Sequence, residues 1–378
     1  MQTPFSTPRA AYVHVPFCAH RCGYCDFTVI AGRDDLAGDY LHALELELAA
    51  LGHPREVDTL FVGGGTPTQL ALPELERLLA LLQRWLPLSA AGEFSIEANP
   101  ARFERATADT LRTHGVNRVS LGVQSFSAPL LRTLERDHDA ETVARAVDAL
   151  RGRIDNFGFD LIYGVPEQSL DGWQASLQQA VNLQPAHIST YGLTYEKGTA
   201  FWTRRQQQTL TPVDDASEAA MYSTAMDWLP AHGFDQYELS NFARPGRESR
   251  HNAVYWQGLP YYGFGPGAAA YVDGTRRTNH RSVTTWLKRV LSGESGVGAS
   301  ETLSTEERAR EALWLGLRRT CGVDRSVFAE RFEVALDSLA GESLPALIAA
   351  GWIADDGRSI RLTRPGRLLA DKVAAEFL

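Results

Sequence analysis

The stretch Tyr12-Val13-His14-Val15-Pro16-Phe17-Cys18-Ala19-His20-Arg21-Cys22-Gly23-Tyr24-Cys25 joins an apolar run to three cysteines spaced Cys18-x3-Cys22-x2-Cys25. The chain has 378 residues and one further cysteine, Cys321. Thiolates this close on an irregular loop can converge on one inorganic centre. Three ligands leave a coordination position open where four would close the shell. The spacing suits a [4Fe–4S] cluster with one iron left free. A Cys3His zinc site completed by His14 or His20 is the rival reading, and three unrelated buried thiols the plainest one. Cys321 reads as a buried structural thiol rather than a fourth ligand.

Outward from this loop, six short apolar runs recur: Ala11 to Val15, Val57 to Val62, Glu93 to Glu97, Arg118 to Gln124, Asn156 to Tyr163 and His187 to Leu193. Helical patterns lie between them. Leu41, Leu44 and Leu48 mark the first, and Leu75, Leu78, Leu79 and Leu82 the second; Leu111 anchors the third, which ends near Gly115. Val143, Ala146, Val147 and Leu150 follow, then Trp173, Leu177 and Val181, and a last helix from Pro212 to about Leu229. Six β-α units in a row predict an α/β fold with a parallel sheet, most simply a partial (β/α)6 barrel. A doubly wound open sheet has the same periodicity.

The strand ends favour the barrel. Cys18 to Cys25 follow the first run and Gly63-Gly64-Gly65-Thr66-Pro67 the second, Glu97-Ala98-Asn99-Pro100 ends the third, and Gln124-Ser125-Phe126 ends the fourth. Asp160 lies in the fifth, before Tyr163-Gly164-Val165-Pro166. Chemistry in a barrel gathers at the C-terminal ends of its strands, so these elements predict one shared site. The glycines suit close approach of a ligand's ammonium or carboxylate, and no Gly-Lys-Ser/Thr follows to make a P-loop. Glu97 and Asp160 can accept from ribose hydroxyls, while Gln124 and Arg136 can grip a carboxylate.

Three divisions are expected: a barrel over 1–232, an extension over 233–300 and a separate module over 301–378. Tyr237 to Phe242 reads as one more strand, and Gly263-Phe264-Gly265-Pro266-Gly267 as a flexible stretch. Ser304 and Glu307 form a capping box. Helices follow around Val327 to Phe332 and Leu344 to Ala350, then a hairpin about Asp356-Gly357. This α+β module resembles a winged helix used for packing or as a lid. A net charge of −9 supplies no basic field, so no nucleic-acid partner is expected. With 44% hydrophobic and 22% charged residues, no membrane-spanning run and no signal-peptide pattern at Met1 to Pro4, the expected location is cytoplasmic.

Taken together, the cysteine motif, Tyr24 within it, Gly63-Gly64-Gly65-Thr66-Pro67 and the later strand ends resemble the radical S-adenosylmethionine (SAM) superfamily. More narrowly, Tyr12 to Cys18, Glu97 to Pro100, Arg118 to Phe126 and Asp160 to Gly164 resemble the oxygen-independent coproporphyrinogen III oxidase group. The resemblance spans nearly the whole chain. It implies that Cys18, Cys22 and Cys25 ligate the cluster and that Tyr12, Gly64 and Glu97 contact SAM bound to it. Tyr24, Gly65, Thr66, Gln124, Arg136 and Asp160 match positions that line a second SAM site in the oxidase. Two departures stand out: the oxidase has a further cysteine where this chain has Phe27, and only 17 residues here precede Cys18.

Those departures, with Cys25-Asp26-Phe27 and His251-Asn252-x2-Tyr255-Trp256, resemble the haem-chaperone branch, HemW. That likeness implies haem binding and delivery to respiratory haemoproteins, in the cytoplasm or at the inner face of the membrane. It makes His251 the candidate haem ligand, with Tyr255 and Trp256 stacking on the porphyrin in a partly exposed site. A SAM-dependent radical enzyme, whether oxidase or methyl- or alkyl-transferase, is the first alternative. A zinc-stabilised binding protein is the second.

Overall fold

The computed structural model describes residues 7–377, so the Met1 to Pro4 stretch lies outside the described residues. The six runs form strands β1 (Ala10–Val15), β2 (Val57–Gly64), β3 (Leu88–Ala98), β4 (Arg118–Gln124), β5 (Phe157–Tyr163) and β6 (His187–Gly192). They lie side by side in chain order, every adjacent pair parallel. A doubly wound sheet reverses its order at a switch point. This one never does, so it winds one way and leaves one face free: a partial barrel, open at its edges.

Helices α1 (Ala37–Ala49), α2 (Leu72–Trp85), α3 (Arg105–Thr113), α4 (Ala140–Leu150), α5 (Leu170–Asn182) and α6 (Asp215–Ala231) link the strands or follow them. The last begins three residues after the expected Pro212, because the Asp214 side chain caps it by accepting from Ser217 N at 2.9 Å. One side of each strand packs under the helices. Val13, Val62, Ile96, Leu121, Phe159 and Ile188 belong to this core, with Leu44, Leu78, Val147 and Leu177 from the helices. The alternate residues point to the other face, where the cavity is.

Two edges close the sheet. The expected strand over Tyr237 to Phe242 is instead two short ones, β7 (Asp235–Gln236) and β8 (Asn241–Ala243), antiparallel to each other. Between them Glu238 is fully buried and accepts from Ser240 N at 2.9 Å and from the Asn241 amide, which forces a turn. At the other edge β9 (Tyr262–Phe264) pairs parallel with β1. The glycine stretch is therefore pinned. A Cβ on Gly263 would lie 1.8 Å from the Ala269 carbonyl oxygen, and Gly265 N donates to Glu47 of α1 at 2.7 Å. Residues 233–300 share the barrel's core, since Trp286 is fully buried within it and packs on Tyr40 at 5.9 Å between ring centroids.

The C-terminal part has its own core, including Leu313, Phe328, Leu344, Ile353 and Val373. The capping box opens the helix Thr305–Leu317, and the hairpin pairs Ile353–Asp355 with Ser359–Leu362. Leu239 joins this core from the β7–β8 turn, and Thr320 N donates to the Tyr237 carbonyl at 3.1 Å. The module packs on the side of the barrel rather than over its mouth, since no described residue after Tyr255 lines the cavity. Cys321 is exposed, not buried: it lies in the surface turn before Gly322. Among the described residues, no helix is long and apolar enough to cross a membrane.

Candidate functional site

Every site residue expected from the sequence except Trp256 lines one cavity of about 720 Å³ inside the arc. That volume suits a cofactor-sized ligand. Cys18, Cys22 and Cys25 hang over the rim on the loop after β1. The Cys22 carbonyl is held locally, accepting from Cys25 N at 3.0 Å. Cys18 Sγ lies 3.7 Å from Thr66 Oγ1, and Cys22 Sγ lies 3.9 Å from Arg136 Nη1. Tyr24 packs edge-on against Phe201 at 6.0 Å.

The glycine turn after β2 is tight for a stated reason. Gly64 has φ +108°, and a Cβ there would come within 2.4 Å of the His14 ring. Gly65 N donates to the Val15 carbonyl at 2.8 Å and Thr66 N to the Phe17 carbonyl at 2.7 Å, which docks this turn on the start of the cysteine loop. Gly64 N donates to Glu97 Oε2 at 3.0 Å. Burial pushes the Glu97 carboxyl up to about 7, helped by the nearby Asp160 charge and opposed by that Gly64 N–H. Asp160 is also raised by burial, while Ser189 and Ser120 hydrogen bonds oppose the rise; Ser120 Oγ donates to it at 2.9 Å.

Several groups here are incompletely satisfied. Gln124 ends β4 in the left-handed region at φ +57°, where the β4–β5 register shifts. Its Oε1 and Arg136 Nε are buried without a hydrogen-bond partner among the described residues. Arg136 Nη2 donates to the Gly122 carbonyl at 2.9 Å, which fixes its direction. Buried polar atoms normally find partners, so such orphans beside a cavity point to a ligand.

The zinc alternative loses one of its two candidate fourth ligands. His14 uses both ring nitrogens, Nδ1 with Tyr12 OH at 3.0 Å and Nε2 with the Thr28 carbonyl at 2.7 Å. His20 faces Glu135 at 3.3 Å. Among the described residues no group of three or more His, Cys, Asp or Glu side chains is arranged to hold a single metal ion. Three thiols lining one cavity without a fourth side chain suit a larger cluster with an open position.

His251 falls elsewhere on the wall. It lies on helix α7 (Arg250–Trp256), 1% exposed. Its Nδ1 meets Thr59 Oγ1 at 2.9 Å, its Nε2 meets Tyr255 OH at 2.8 Å, and the ring stacks on Phe61 at 5.3 Å. An iron ligand needs a free ring nitrogen, and His251 has none in this arrangement. Nor do Tyr255 and Trp256 form an exposed stacking face. Tyr255 packs against Tyr261, and Trp256 lies under the Arg318 guanidinium at 4.4 Å.

Sequence reading missed the cavity's depth. Ser95, Arg118, Ser120, His187, Ser189 and Tyr191 line it below the rim. The available signal was alternation. Buried parallel strands normally run apolar throughout. Here Glu93, Ser95 and Glu97 alternate with Phe94 and Ile96, and Arg118 and Ser120 alternate with Val119 and Leu121. A polar inner face follows from that pattern.

Comparison with known proteins agrees with this geometry. The family model described as the radical SAM superfamily matches residues 12–180, and that of the HemN C-terminal domain matches residues 303–369. The chain is 38% identical to "Heme chaperone HemW" of Bacillus subtilis, covering 98% of this chain and 99% of that one. It is 37% identical to the protein of the same name from Mycobacterium tuberculosis, covering 98% and 95%. Coproporphyrinogen III oxidase (HemN) from Escherichia coli, described as a radical SAM enzyme, superposes with a TM-score of 0.86 at 25% identity, over 98% of this chain and 90% of that one. This chain belongs to the HemW family of the radical SAM superfamily.

Proposed function

We propose that this chain is a haem chaperone, which binds haem and passes it to a recipient haemoprotein, with respiratory proteins as the expected recipients. The carrying observation is likeness to "Heme chaperone HemW" over 98% of the chain, joined to a cysteine loop that continues into Phe27. Phe27 lines the cavity mouth and is 62% exposed. An exposed aromatic at a mouth offers a face for a planar ligand that must leave again.

Cys18, Cys22 and Cys25 would hold a [4Fe–4S] cluster, and SAM would lie across Tyr12, Gly64 and Glu97. A cluster held there would supply one-electron reduction, the electron coming from an external reductant. Glu97, once ionised, accepts from the ribose hydroxyls. Gly64, lacking a side chain, lets the ligand approach the backbone. Arg136 holds positive charge beside Cys22, with Nη1 3.9 Å from its Sγ. Gln124 and Asp160 offer an open acceptor and a carboxylate further along the wall, and Tyr24, Gly65 and Thr66 complete the rim.

A SAM-dependent reaction is the second reading, favoured by the polar lumen below these residues, which a carrier alone does not require. Cluster-loaded protein with SAM and reductant separates the two under anaerobic conditions. The expected result is haem binding in a defined stoichiometry and transfer to an apo-haemoprotein, without multiple-turnover conversion of coproporphyrinogen III. Conversion without haem transfer would replace the chaperone reading by the oxidase one.

A further inference from the structure

Arg118 opens β4 at the end of the strand opposite Gln124 and is 4% exposed. Six steps along β4 separate the two, so the base lies about 20 Å below the rim. Arg118 Nη1 donates to the Arg247 carbonyl at 3.0 Å and to Asn156 Oδ1 at 3.4 Å. Among the described residues no carboxylate forms an ion pair with it. The Arg118 charge acts on the buried Asp160 carboxyl and lowers it, but the two do not meet in an ion pair. A buried guanidinium without a directly paired carboxylate is costly unless something offsets it.

The wall beside it has other open valences. Ser95, its register partner on β3, is 1% exposed and its Oγ has no partner among the described residues. His187, 2% exposed, uses Nε2 with Tyr237 OH at 2.8 Å and leaves Nδ1 without a partner. Burial and the Arg118 charge hold that imidazole neutral, so Arg118 carries the positive charge here. All three side chains line the cavity.

We propose that the base of the lumen is an anion subsite that takes one carboxylate of a ligand held in the cavity, with Arg118 supplying the charge and Ser95 a hydroxyl donor. A guanidinium presents paired donors that match the two oxygens of a carboxylate. A phosphate dianion would add a second negative charge near Asp160, which already interacts with the Arg118 charge. The carboxylate has two sources, a propionate side chain of haem or a free small carboxylate. The subsite stands apart from the chaperone reading, because either source fills it.

The test uses the full cluster-loaded chain and two probes. Sodium propionate is titrated against sodium chloride at equal ionic strength, with thermal stability as the readout. Ser95→Ala is the main variant, since its hydroxyl has no partner to lose; Arg118→Lys keeps a charge but not the paired donors. Propionate should stabilise the wild type and do so at least about tenfold more weakly in either variant, as for a hydrogen bond to a charged group. Equal responses in all three proteins would overturn the subsite, whatever haem does. Haem and its dimethyl ester are then compared. An ester that binds about tenfold more weakly to wild type, with the difference lost in Arg118→Lys, assigns the subsite to a haem propionate. Propionate selectivity with haem and ester bound alike, or with haem not bound, assigns it to a free carboxylate and leaves the chaperone reading to its own test.

Discussion

Gln124 and Arg136 beside the cysteine loop and His251 on helix α7 border the same cavity, yet their side-chain polar atoms are in different states. Around the loop, Gln124 Oε1 and Arg136 Nε are buried without partners and Gln124 holds a left-handed backbone. On α7, His251 spends both ring nitrogens on Thr59 and Tyr255, and its backbone N–H donates to Glu93 at 3.1 Å. A group that is fully partnered is committed to the fold. One left buried with an open valence costs stability that only a ligand returns. The contrast distinguishes side chains with an open valence from those whose polar atoms are already taken up by the fold.

The largest effect tests the loop. Replacing Cys18, Cys22 or Cys25 by Ala should abolish cluster iron after anaerobic reconstitution, while Cys321→Ala, a surface change, keeps it. Iron lost with Cys321 and kept without one of the trio would break the assignment.

Glu97→Ala should weaken SAM binding about 10–100-fold by calorimetry, with iron content unchanged, because an acceptor is removed rather than a cluster ligand. Unchanged affinity would remove Glu97 from the ligand-holding side of the comparison.

A pH series sharpens the same point. With its carboxyl raised to about 7, Glu97 is mostly protonated at pH 6 and mostly ionised at pH 8. SAM affinity should therefore rise about tenfold between those values and flatten in Glu97→Gln. Stability of the ligand-free protein runs the other way. A carboxyl whose folded value lies above its unfolded one binds a proton on folding, so its contribution falls as pH rises from about 4.5 to about 7. A flat affinity profile would place the titration elsewhere.

The smallest effect belongs to α7. His251→Ala should lower thermal stability, since it leaves Thr59 and Tyr255 unpartnered, yet change haem affinity by less than about twofold. Loss of haem binding with cluster iron intact would show that His251 leaves Tyr255 to take the iron, and would erase the contrast.

Much of the fold was legible because its signals are local. β-branched runs, leucines at helical spacing and the Ser304–Glu307 box each act within a few residues, and all became the elements they suggested. The errors arose where distant partners intervene. Glycines at 263–267 read as flexible because glycine is intrinsically so, but Glu47 and the Ala269 backbone hold that stretch. The Tyr237 to Phe242 run alternated well enough for a strand, until the buried Glu238 carboxylate drew Ser240 and Asn241 into a turn.

By itself the sequence determined the six β-α units, the loop of three closely spaced thiols, and the polar or glycine-rich ends that share a rim. Each depends on bonding along the chain or on side-chain period, which neighbours in sequence impose. The one-way winding of the sheet, the engagement of His251 and the burial of Arg118 at the base without an ion pair were decided only by tertiary structure. Those depend on which distant groups reach a hydrogen-bond or ion-pair distance, and that is a property of packing between elements far apart in the chain.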